Sequence, residues 1–209
     1  MSFLPHSDFL LIGYFAEIVD MLNEEGIINI SIVDNLNPYD SRCNYLGSDN
    51  KNLPFKTEFF QNYTILFVPD APATRKNLVA KYEISNKLRS GYISKNALIR
   101  YSSEIHHGVV IAHGCHVSSG VLLESYVKLN VNSTIMHDSK IGQYTTVAPC
   151  ATILGKVNIG RECYIGAGAI ILPGLHIGDN VVVGAGAVVT KSIPSHTTVV
   201  GVPAKALNK

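Results

Sequence analysis

The chain has 209 residues, a formal net charge of +1 and only 16% charged residues. A chain with so little excess positive charge lacks the basic surface that nucleic-acid binding needs, so we expect no nucleic-acid partner. No apolar run reaches the length of a membrane span, and residues 1–12 lack the basic start and cleavage site of a signal peptide, so we expect a cytoplasmic protein with no membrane partner.

The first 90 residues predict a small α/β domain. Residues 9–13 form an apolar run that ends at a glycine, residues 15–25 carry apolar side chains at helical spacing, and residues 27–33 are β-branched. This βαβ order has the proportions of half of a Rossmann-like nucleotide-binding domain. Residues 35–52 are polar and predict a loop, whereas residues 63–68 predict another strand and residues 73–86 a second helix. We assign residues 1–90 to this domain and call it the cap.

The turn after the first predicted strand contains Gly13, Tyr14 and Phe15. A nucleotide-binding turn usually has several glycines, so that the backbone can approach phosphate. This turn has one, and both nucleotide binding and a purely structural turn remain open. Asp34 and Asn35 follow the second strand, where such side chains can hold a ribose or a base edge. The same two residues are also common in turns and helix caps.

The rest of the chain is organised by a repeat of six residues. Between residues 93 and 189 every sixth residue is Ile, Val or Leu: Ile93, Ile99, Ile105, Ile111, Val117, Leu123, Leu129, Ile135, Ile141, Val147, Ile153, Ile159, Ile165, Ile171, Ile177, Val183 and Val189. The residue four places after each of these is small or apolar. A period of six is the signature of a parallel β-helix, in which three hexapeptides make one triangular coil. An ordinary amphipathic sheet would show a period of two, so we assign residues 91–209 to an all-β parallel β-helix with a C-terminal tail.

Two corners of the predicted β-helix consist only of glycine and alanine. Residues 166–169 and 184–187 both read Gly-Ala-Gly-Ala, and we call them the GAGA corners. They are 18 residues apart, so they stack on one edge, with Ala148 one coil earlier in the same column. Small side chains leave backbone N–H and C=O groups reachable, and a long ligand with amides, such as a pantetheine arm, can lie there. Tight corners also favour glycine and alanine for structural reasons alone.

His137 lies in another corner, two residues after the inward-facing Ile135, and is therefore expected to point outward. Gly155 is one coil later in the same column and leaves space beside the imidazole. Asp138 is next in sequence and can orient the ring. Histidine suits general-base catalysis near neutral pH, although an exposed histidine can also be a plain surface residue.

Four more histidines lie close together in sequence: His106, His107, His113 and His116. His107 and His113 occupy the same place in successive hexapeptides, which puts them on different edges of the prism and too far apart to share a zinc ion. We therefore expect no metal site. The four cysteines show no paired spacing and predict free thiols.

Residues 93–207 resemble the left-handed β-helix acyltransferases, and most closely the bacterial sugar O- and N-acetyltransferases of the bacillosamine, perosamine and sialic acid pathways. The segment NVNSTIMHDSKIG at 130–142 resembles the part of that family that carries the catalytic histidine and the acidic residue after it. The segments IGAGA at 165–169, VGAGAVVTK at 183–191 and GVPAKAL at 201–207 resemble its acetyl-CoA edge and tail. The first 90 residues resemble its sugar-nucleotide-binding cap, with ATRK at 73–76 near the start of a helix.

The resemblance implies a left-handed coil and a homotrimer with three active sites between subunits. His137 of one subunit would face acetyl-CoA on the GAGA corners of a neighbour, with Asp138 beside it. The implied acetyl-CoA contacts are Thr146, Gly155, Gly166, Ala167, Gly184 and Ala185. The implied sugar-nucleotide contacts are Gly13, Tyr14, Phe15, Asp34, Asn35 and Asp70. Thr146 stands where the family often has a second histidine, and Asp70 where it usually has glycine.

We therefore expect an acetyl-CoA-dependent N-acetyltransferase that acts on the amine of a nucleotide-linked 4-amino-4,6-dideoxy sugar. Transfer would be direct: His137 removes a proton from the amine, Asp138 supports the imidazolium, and a backbone N–H at the Gly166 or Gly184 edge stabilises the oxyanion. Two alternatives remain. One is an O-acetyltransferase of sialic acid or another free sugar, which the shortened glycine turn favours. The other is a non-catalytic trimeric scaffold.

Overall fold

A computed structural model describes residues 8–36, 40–48, 57–82 and 90–207. The described chain has two parts, an α/β cap followed by a long prism of very short strands. The predicted order of an α/β cap and a parallel β-helix is therefore confirmed. The boundary between them at residue 90 stays a proposal, because residues 83–89 lie outside the described part of the chain.

The cap is a four-stranded parallel sheet with helices in its connections. Its elements are β1 (Asp8–Ile12), α1 (Ala16–Glu24), β2 (Ile30–Val33), β3 (Asn44–Gly47), α2 (Thr57–Phe60), β4 (Tyr63–Phe67) and α3 (Pro72–Lys81). The strand order is β3-β2-β1-β4, with β1 and β2 joined through α1 as predicted. β1, β2 and β4 are nearly continuous runs of buried residues, as expected for a parallel sheet covered on both faces.

The prediction of a loop over residues 35–52 is wrong in part, because β3 lies within it. Among the described strands, β3 pairs with β2 alone, at the edge of the sheet, and none of its residues is fully buried. An edge strand of this kind needs little apolar character, and so its sequence carried no strand signal. The predicted helix 73–86 is observed as α3, and the end of the predicted range lies partly outside the described residues.

The prism is built from strands of two or three residues, which recur every six residues from residue 92 to residue 189. They are β5 (Tyr92–Ile93), β6 (Leu98–Ile99), β7 (Glu104–Ile105), β8 (Val110–Ile111), β9 (His116–Val117), β10 (Leu122–Leu123), β11 (Lys128–Leu129), β12 (Thr134–Ile135), β13 (Lys140–Ile141), β14 (Thr146–Val147), β15 (Thr152–Ile153), β16 (Asn158–Ile159), β17 (Tyr164–Ile165), β18 (Ile170–Ile171), β19 (His176–Ile177), β20 (Val182–Val183), β21 (Val188–Val189), β22 (Thr198–Val200) and β23 (Lys205–Ala206). The strands up to β22 pair in parallel, and β23 returns antiparallel to β22.

Every third strand belongs to the same sheet, which gives the prism three faces. Face 1 runs from β5 through β8, β11, β14 and β17 to β20, face 2 from β6 to β21, and face 3 from β7 to β19. We call the edge between faces 1 and 2 the first edge, that between faces 2 and 3 the second edge, and that between faces 3 and 1 the third edge. Residues 18 apart are paired across strands, such as Ile135 with Ile153, so each edge is a set of straight columns.

The sixth-residue positions form the core of the prism as predicted. From Ile111 to Val189 each of these side chains has no exposed surface, while Ile93, Ile99 and Ile105 are half-buried in the coils that begin the prism. The third residue of many corners has a positive φ, close to +60° in residues such as Asp138 and Tyr144. This left-handed conformation turns the chain sharply from one face to the next.

The cap packs on face 1 of the prism. The outward side chains of the first strands of that face are buried: Tyr92, Val110, Lys128 and Thr146. Phe9 of β1 meets the Tyr92 ring edge-on, with 5.5 Å between ring centroids. Glu25, at the end of α1, accepts hydrogen bonds from Tyr92 and from the hydroxyl of Ser94.

Arg75 of α3 makes a second polar contact between cap and prism. Its side chain is 1% exposed and donates to the carbonyl oxygens of Tyr126 and Tyr144, on the third edge, and of Pro69 and Asp70, in the cap. The two tyrosine rings stack with 5.2 Å between centroids. Burial lowers the pKa of the Arg75 guanidinium to about 10, so the group remains charged at neutral pH. The planar fork of arginine suits this set of diverging acceptors, which a lysine could not match.

We predict that Arg75→Leu lowers the free energy of unfolding by about 2–4 kcal/mol, because it leaves buried carbonyl groups without donors. Urea denaturation followed by circular dichroism measures the change. Lys76→Ala is the matched control on the same helix: Lys76 is half-exposed and pairs with Glu162 at 2.7 Å, a contact worth at most about 1 kcal/mol. Equal effects of the two substitutions would contradict a structural role for Arg75.

Candidate active site

His137 occupies the second position of a corner on the second edge, after β12. Its side chain is 51% exposed, and its Nδ1 lies 2.9 Å from Oδ2 of Asp138. Asp138 adopts the left-handed conformation of the third corner position, with φ at +58°, which an aspartate tolerates better than most residues. The corner geometry itself therefore sets the carboxylate beside the imidazole.

This contact determines which nitrogen of His137 is available. With the carboxylate accepting the Nδ1 proton, Nε2 is the unprotonated nitrogen of the neutral ring. Among the described residues, Nε2 has no hydrogen-bond partner. An exposed imidazole with one nitrogen held by a carboxylate and the other free has the arrangement of a general base.

Gly155 lies directly under the ring, one coil later in the same column. A Cβ at Gly155 would be only 2.6 Å from Nε2 of His137. Because Gly155 has no side chain, the imidazole of His137 can lie against its backbone. The predicted clearance beside His137 is present, and Gly155 lies against the imidazole itself. Its predicted contact with acetyl-CoA stays a prediction.

The GAGA corners stack on the first edge, after β17 and β20. Ala167 and Ala185 are exposed. Within the described part of the chain, neither of their N–H groups donates a hydrogen bond. Gly168 and Gly186 have φ of +65° and +66°, and nothing lies within 4 Å of the place where their Cβ atoms would be. These corners form an open strip with unused backbone donors, which fits the amide-rich arm of acetyl-CoA.

Gly166 and Gly184 have a different reason to be glycine. A Cβ at Gly166 would lie 2.6 Å from the nitrogen of Ala185, and one at Gly184 would lie 2.7 Å from Cγ1 of Val200. Their N–H groups donate to Val183 and Val199. The first glycine of each corner thus allows the next coil to stack. The unused donors of this edge are one residue later, at Ala167 and Ala185. The predicted oxyanion donor at the Gly166 or Gly184 edge stays a prediction.

Thr146 does not lie with the other predicted acetyl-CoA contacts. It is on face 1 under the cap, is 0% exposed, and donates its hydroxyl to the carbonyl oxygen of Asp70 at 2.6 Å. A side chain without exposed surface cannot contact a ligand, so this prediction is wrong. The sequence placed Thr146 by its spacing from His137 and gave no sign that the cap covers this strand.

His137 and the GAGA corners lie on different edges of one chain. The His137 corner follows the third strand of face 2, whereas the GAGA corners follow the fifth and sixth strands of face 1. With strands about 4.8 Å apart, they are separated by about 10–14 Å along the axis, in addition to the width of face 2. A single chain therefore does not bring the imidazole against the GAGA corners.

The turn after β1 uses its own backbone donors. The N–H of Gly13 donates to the carbonyl oxygen of Val33, and the N–H of Tyr14 donates to Oδ2 of Asp34 at 2.8 Å. Phe15, at the start of α1, is 36% exposed. The predicted residues Gly13, Tyr14 and Asp34 are therefore close together at the carboxyl end of the sheet. The N–H groups of Gly13 and Tyr14 are thus used within the cap and are not free for a nucleotide.

Asn35 follows Asp34 in the same turn, and its Oδ1 accepts a hydrogen bond from Ser48 at 3.1 Å. A role for Asn35 in nucleotide binding stays a prediction.

Asp70 is held by two residues of face 1 that the sequence did not single out. Its Oδ1 lies 2.7 Å from Nζ of Lys128 and accepts from Nδ2 of Asn130 at 3.1 Å. Burial tends to raise the pKa of Asp70, but Lys128 and Asn130 outweigh it and hold the pKa below its ordinary range. Lys128 is 1% exposed and also contacts the carbonyl oxygen of Val68. The charge of Lys128 is thus used within the chain, and its only sequence signal was a lysine at an outward position of the repeat.

Within the described ranges, no group of three or more His, Cys, Asp or Glu side chains is arranged to hold a metal ion. His107 lies on the third edge, where its Nδ1 is 3.3 Å from the hydroxyl of Ser125, and His113 lies on the first edge. The same described ranges contain no helix with the length and hydropathy needed to span a bilayer.

Comparison with known proteins supports this description of the fold. The family model for bacterial transferase hexapeptide (six repeats) matches residues 156–191. No curated protein sequence matches the chain significantly. A variant of GDP-perosamine N-acetyl transferase from Caulobacter crescentus, in complex with CoA and GDP-perosamine, is similar with a TM-score of 0.85 and 24% identity, over 97% of this chain and 98% of that chain.

Two further solved structures are similar over the same share of this chain. The acetyltransferase domain of PglB from Neisseria gonorrhoeae, in complex with acetyl coenzyme A, has a TM-score of 0.85 at 24% identity over 97% of this chain and all of that chain (100%). WeeI from Acinetobacter baumannii has a TM-score of 0.64 at 21% identity, over 97% and 100% of the two chains. These similarities confirm the predicted left-handed β-helix with an N-terminal α/β cap.

We predict that Gly155→Ala displaces the His137 ring without unfolding the prism. The new Cβ would lie too close to Nε2, but the ring is half-exposed and can rotate away, so stability should change by about 1 kcal/mol or less. If His137 is a general base, moving its ring by about 1 Å should cost up to about 100-fold in turnover. Lys156→Ala, in the same corner, is the control. Nitrogen-15 NMR of the imidazole reports the displacement, and an unchanged ring environment in Gly155→Ala would contradict the contact.

Proposed function

We propose that this protein is an acetyl-CoA-dependent N-acetyltransferase that acts on the amine of a nucleotide-linked 4-amino-4,6-dideoxy sugar. The observation that carries the proposal is the His137–Asp138 pair, with Nε2 free on an exposed corner above Gly155. Support comes from the open strip at the GAGA corners. Further support comes from similar structures whose described complexes contain CoA with GDP-perosamine, or acetyl coenzyme A.

The proposed reaction is a direct transfer. The sugar amine attacks the carbonyl carbon of the acetyl thioester, and Nε2 of His137 takes the proton that the amine loses. The new C–N bond forms, the C–S bond breaks, and the proton passes from His137 to the departing thiolate of CoA. Asp138 stabilises the transient imidazolium through Nδ1. Help from a general base is worth about 10²–10⁴ in rate.

The negative charge that develops on the carbonyl oxygen needs a donor. The N–H groups of Ala167 and Ala185 are the unused donors of the GAGA corners within the described chain, so we assign one of them to the oxyanion and the other to the pantetheine arm. A single donor of this kind typically contributes about 10²–10³ in turnover.

We further propose a homotrimer in which each active site lies between two subunits. His137 is on the second edge and the GAGA corners are on the first edge, and both edges border face 2. If face 2 is turned toward a threefold axis, the second edge of each subunit meets the first edge of the next. The outward residues of face 2 carry no formal charge: Leu98, His116, Thr134, Thr152, Ile170 and Val188. Face 3, by contrast, presents Glu104 and Lys140 to solvent.

An O-acetyltransferase of sialic acid or another free sugar is the second candidate. It is favoured by the cap, where the N–H of Tyr14 is bound to Asp34 and the charge of Lys128 is paired with Asp70. Both are groups that a diphosphate would otherwise use. The third possibility, a non-catalytic scaffold, does not account for a free Nε2 above a glycine. A cytoplasmic location also stays a proposal.

We predict that the purified protein transfers acetyl groups from acetyl-CoA to nucleotide-linked 4-amino-4,6-dideoxyhexoses. Mass spectrometry should show that the acceptor gains about 42 Da, because one acetyl group replaces one hydrogen. His137→Ala should lower kcat by about 10²–10⁴ and leave acetyl-CoA binding unchanged. Because the His137 side chain is exposed, the free energy of unfolding of this variant should differ from that of the wild type by about 0.5 kcal/mol or less.

The same acceptor panel separates the candidates. Acetylation of free sialic acid in preference to amino sugars would favour the O-acetyltransferase. Binding of acetyl-CoA with no turnover on any acceptor would favour the scaffold. If His137→Ala retains more than about a tenth of the wild-type kcat, His137 is not the base.

We predict that two inactive variants restore activity when they share a trimer. His137→Ala removes the base, and Ala185→Trp blocks the open strip from an exposed position that the stacking does not use. In mixed trimers formed by co-expression at equal levels, about a quarter of the interfaces pair an intact His137 with an intact strip. Activity near that fraction of wild type supports shared sites. No recovery, in trimers shown to be mixed by mass, would contradict them.

A further inference from the structure

The side chain of Tyr101 is exposed to solvent and does not contribute to the packing of the prism. It occupies the second position of the first corner on the second edge and is fully exposed, at 105% of the reference value. Within the described residues it has no hydrogen-bond or ring partner. A surface tyrosine usually lays part of its ring against neighbouring side chains, because the ring is largely apolar. Tyr101 instead extends away from the prism.

Tyr101 lies in the same column as His137. The register pairs Leu98 with His116 and His116 with Thr134. The residues three places later therefore also align, which gives the order Tyr101, Ser119, His137. Tyr101 is thus two coils above the proposed base, about 10 Å along the axis, and the residue between them has a short side chain.

The acetyl donor must approach His137 from the opposite direction. The GAGA corners lie two and three coils beyond the level of His137, toward the C-terminal end of the prism. The side of His137 toward Tyr101 is therefore the side left for the sugar ring of the acceptor, and the amine must reach past the imidazole to Nε2, which is turned toward Gly155. Allowing a van der Waals contact of about 3.5–4 Å at each end, the gap between Tyr101 and His137 has the thickness of one sugar ring.

We propose that Tyr101 binds the sugar ring of the acceptor and so contributes to its affinity for the site. The ring of Tyr101 packs against the apolar C–H face and the deoxy carbon of the hexose, while the hydroxyl of Ser119 is available to a polar substituent. Pockets for small ligands combine aromatic surface with a few polar groups in this manner. The inference rests on the proposed function, because it assigns the acceptor side of that same site.

The test compares Tyr101→Ala, Tyr101→Phe and Ile28→Ala. Ile28 is the control, since it is an exposed apolar residue of the cap, 73% exposed and outside the proposed site. With GDP-perosamine as acceptor and saturating acetyl-CoA, Tyr101→Ala should raise the acceptor KM about tenfold while kcat changes little. Tyr101→Phe keeps the ring and should behave as wild type, as should Ile28→Ala. The KM for acetyl-CoA should be unchanged in all three variants.

Two further measurements distinguish a contact with the sugar from a contact between subunits. If Tyr101→Ala lowers the particle mass in light scattering, Tyr101 is a contact between subunits and the proposal is overturned. An unchanged acceptor KM also overturns it. Saturation-transfer NMR of the same acceptor without acetyl-CoA tests binding independently of turnover. Loss of sugar signals in Tyr101→Ala supports the role of Tyr101 even if the wild type proves inactive, whereas equal or absent sugar signals in wild type and variant overturn it.

Discussion

The hydrogen bonding of each coil to the next, 18 residues later, is the constraint on which the rest of the structure depends. It forces every residue into a column with its equivalents in the coils above and below. At the candidate active site, the N–H of Asp138 donates to Ser119, and the carbonyl oxygen of His137 accepts from Lys156. The corner is therefore held from both sides by backbone. A site built on such an element keeps its geometry without help from mobile loops.

The same stacking explains why glycine serves two purposes in a repeated corner. At Gly166, the first position of its corner, a Cβ would collide with the next coil, so glycine is needed there for packing. At the third position the backbone is left-handed, and glycine or a tolerant residue such as Asp138 fits there. Where both positions are glycine and the residue between is alanine, as around Ala167, the outcome is an edge without side chains. The open strip thus follows from the same packing requirements that place glycine in a corner, and it needs no special loop to be open to a ligand.

The features that follow from the repeat of six residues could be predicted from the sequence. The buried positions, the outward direction of His137 and the clearance at Gly155 all follow from counting in sixes. The contacts that seat the cap could not be found in this way. Arg75 reaches the carbonyl oxygen of Tyr144, 69 residues away, and Thr146 reaches Asp70 across 76 residues. A hydrogen bond to a distant carbonyl oxygen leaves no periodic trace, so the sequence could not show that Thr146 is covered or that Lys128 is already paired.

The position of the cap makes the two ends of the prism different, although the coils themselves are nearly uniform. The cap buries the outward side chains of face 1 as far as Thr146, whereas Val182, further along the same face, is 40% exposed. In the proposed reaction, the long donor therefore lies along the uncovered end of the neighbouring edge, where the GAGA corners are. The proposed acceptor is left with the end nearer the cap, on the side of His137 that Tyr101 borders. In this proposal the buried Arg75 that holds the cap contributes to the order of the substrates along the axis, although it contacts neither of them.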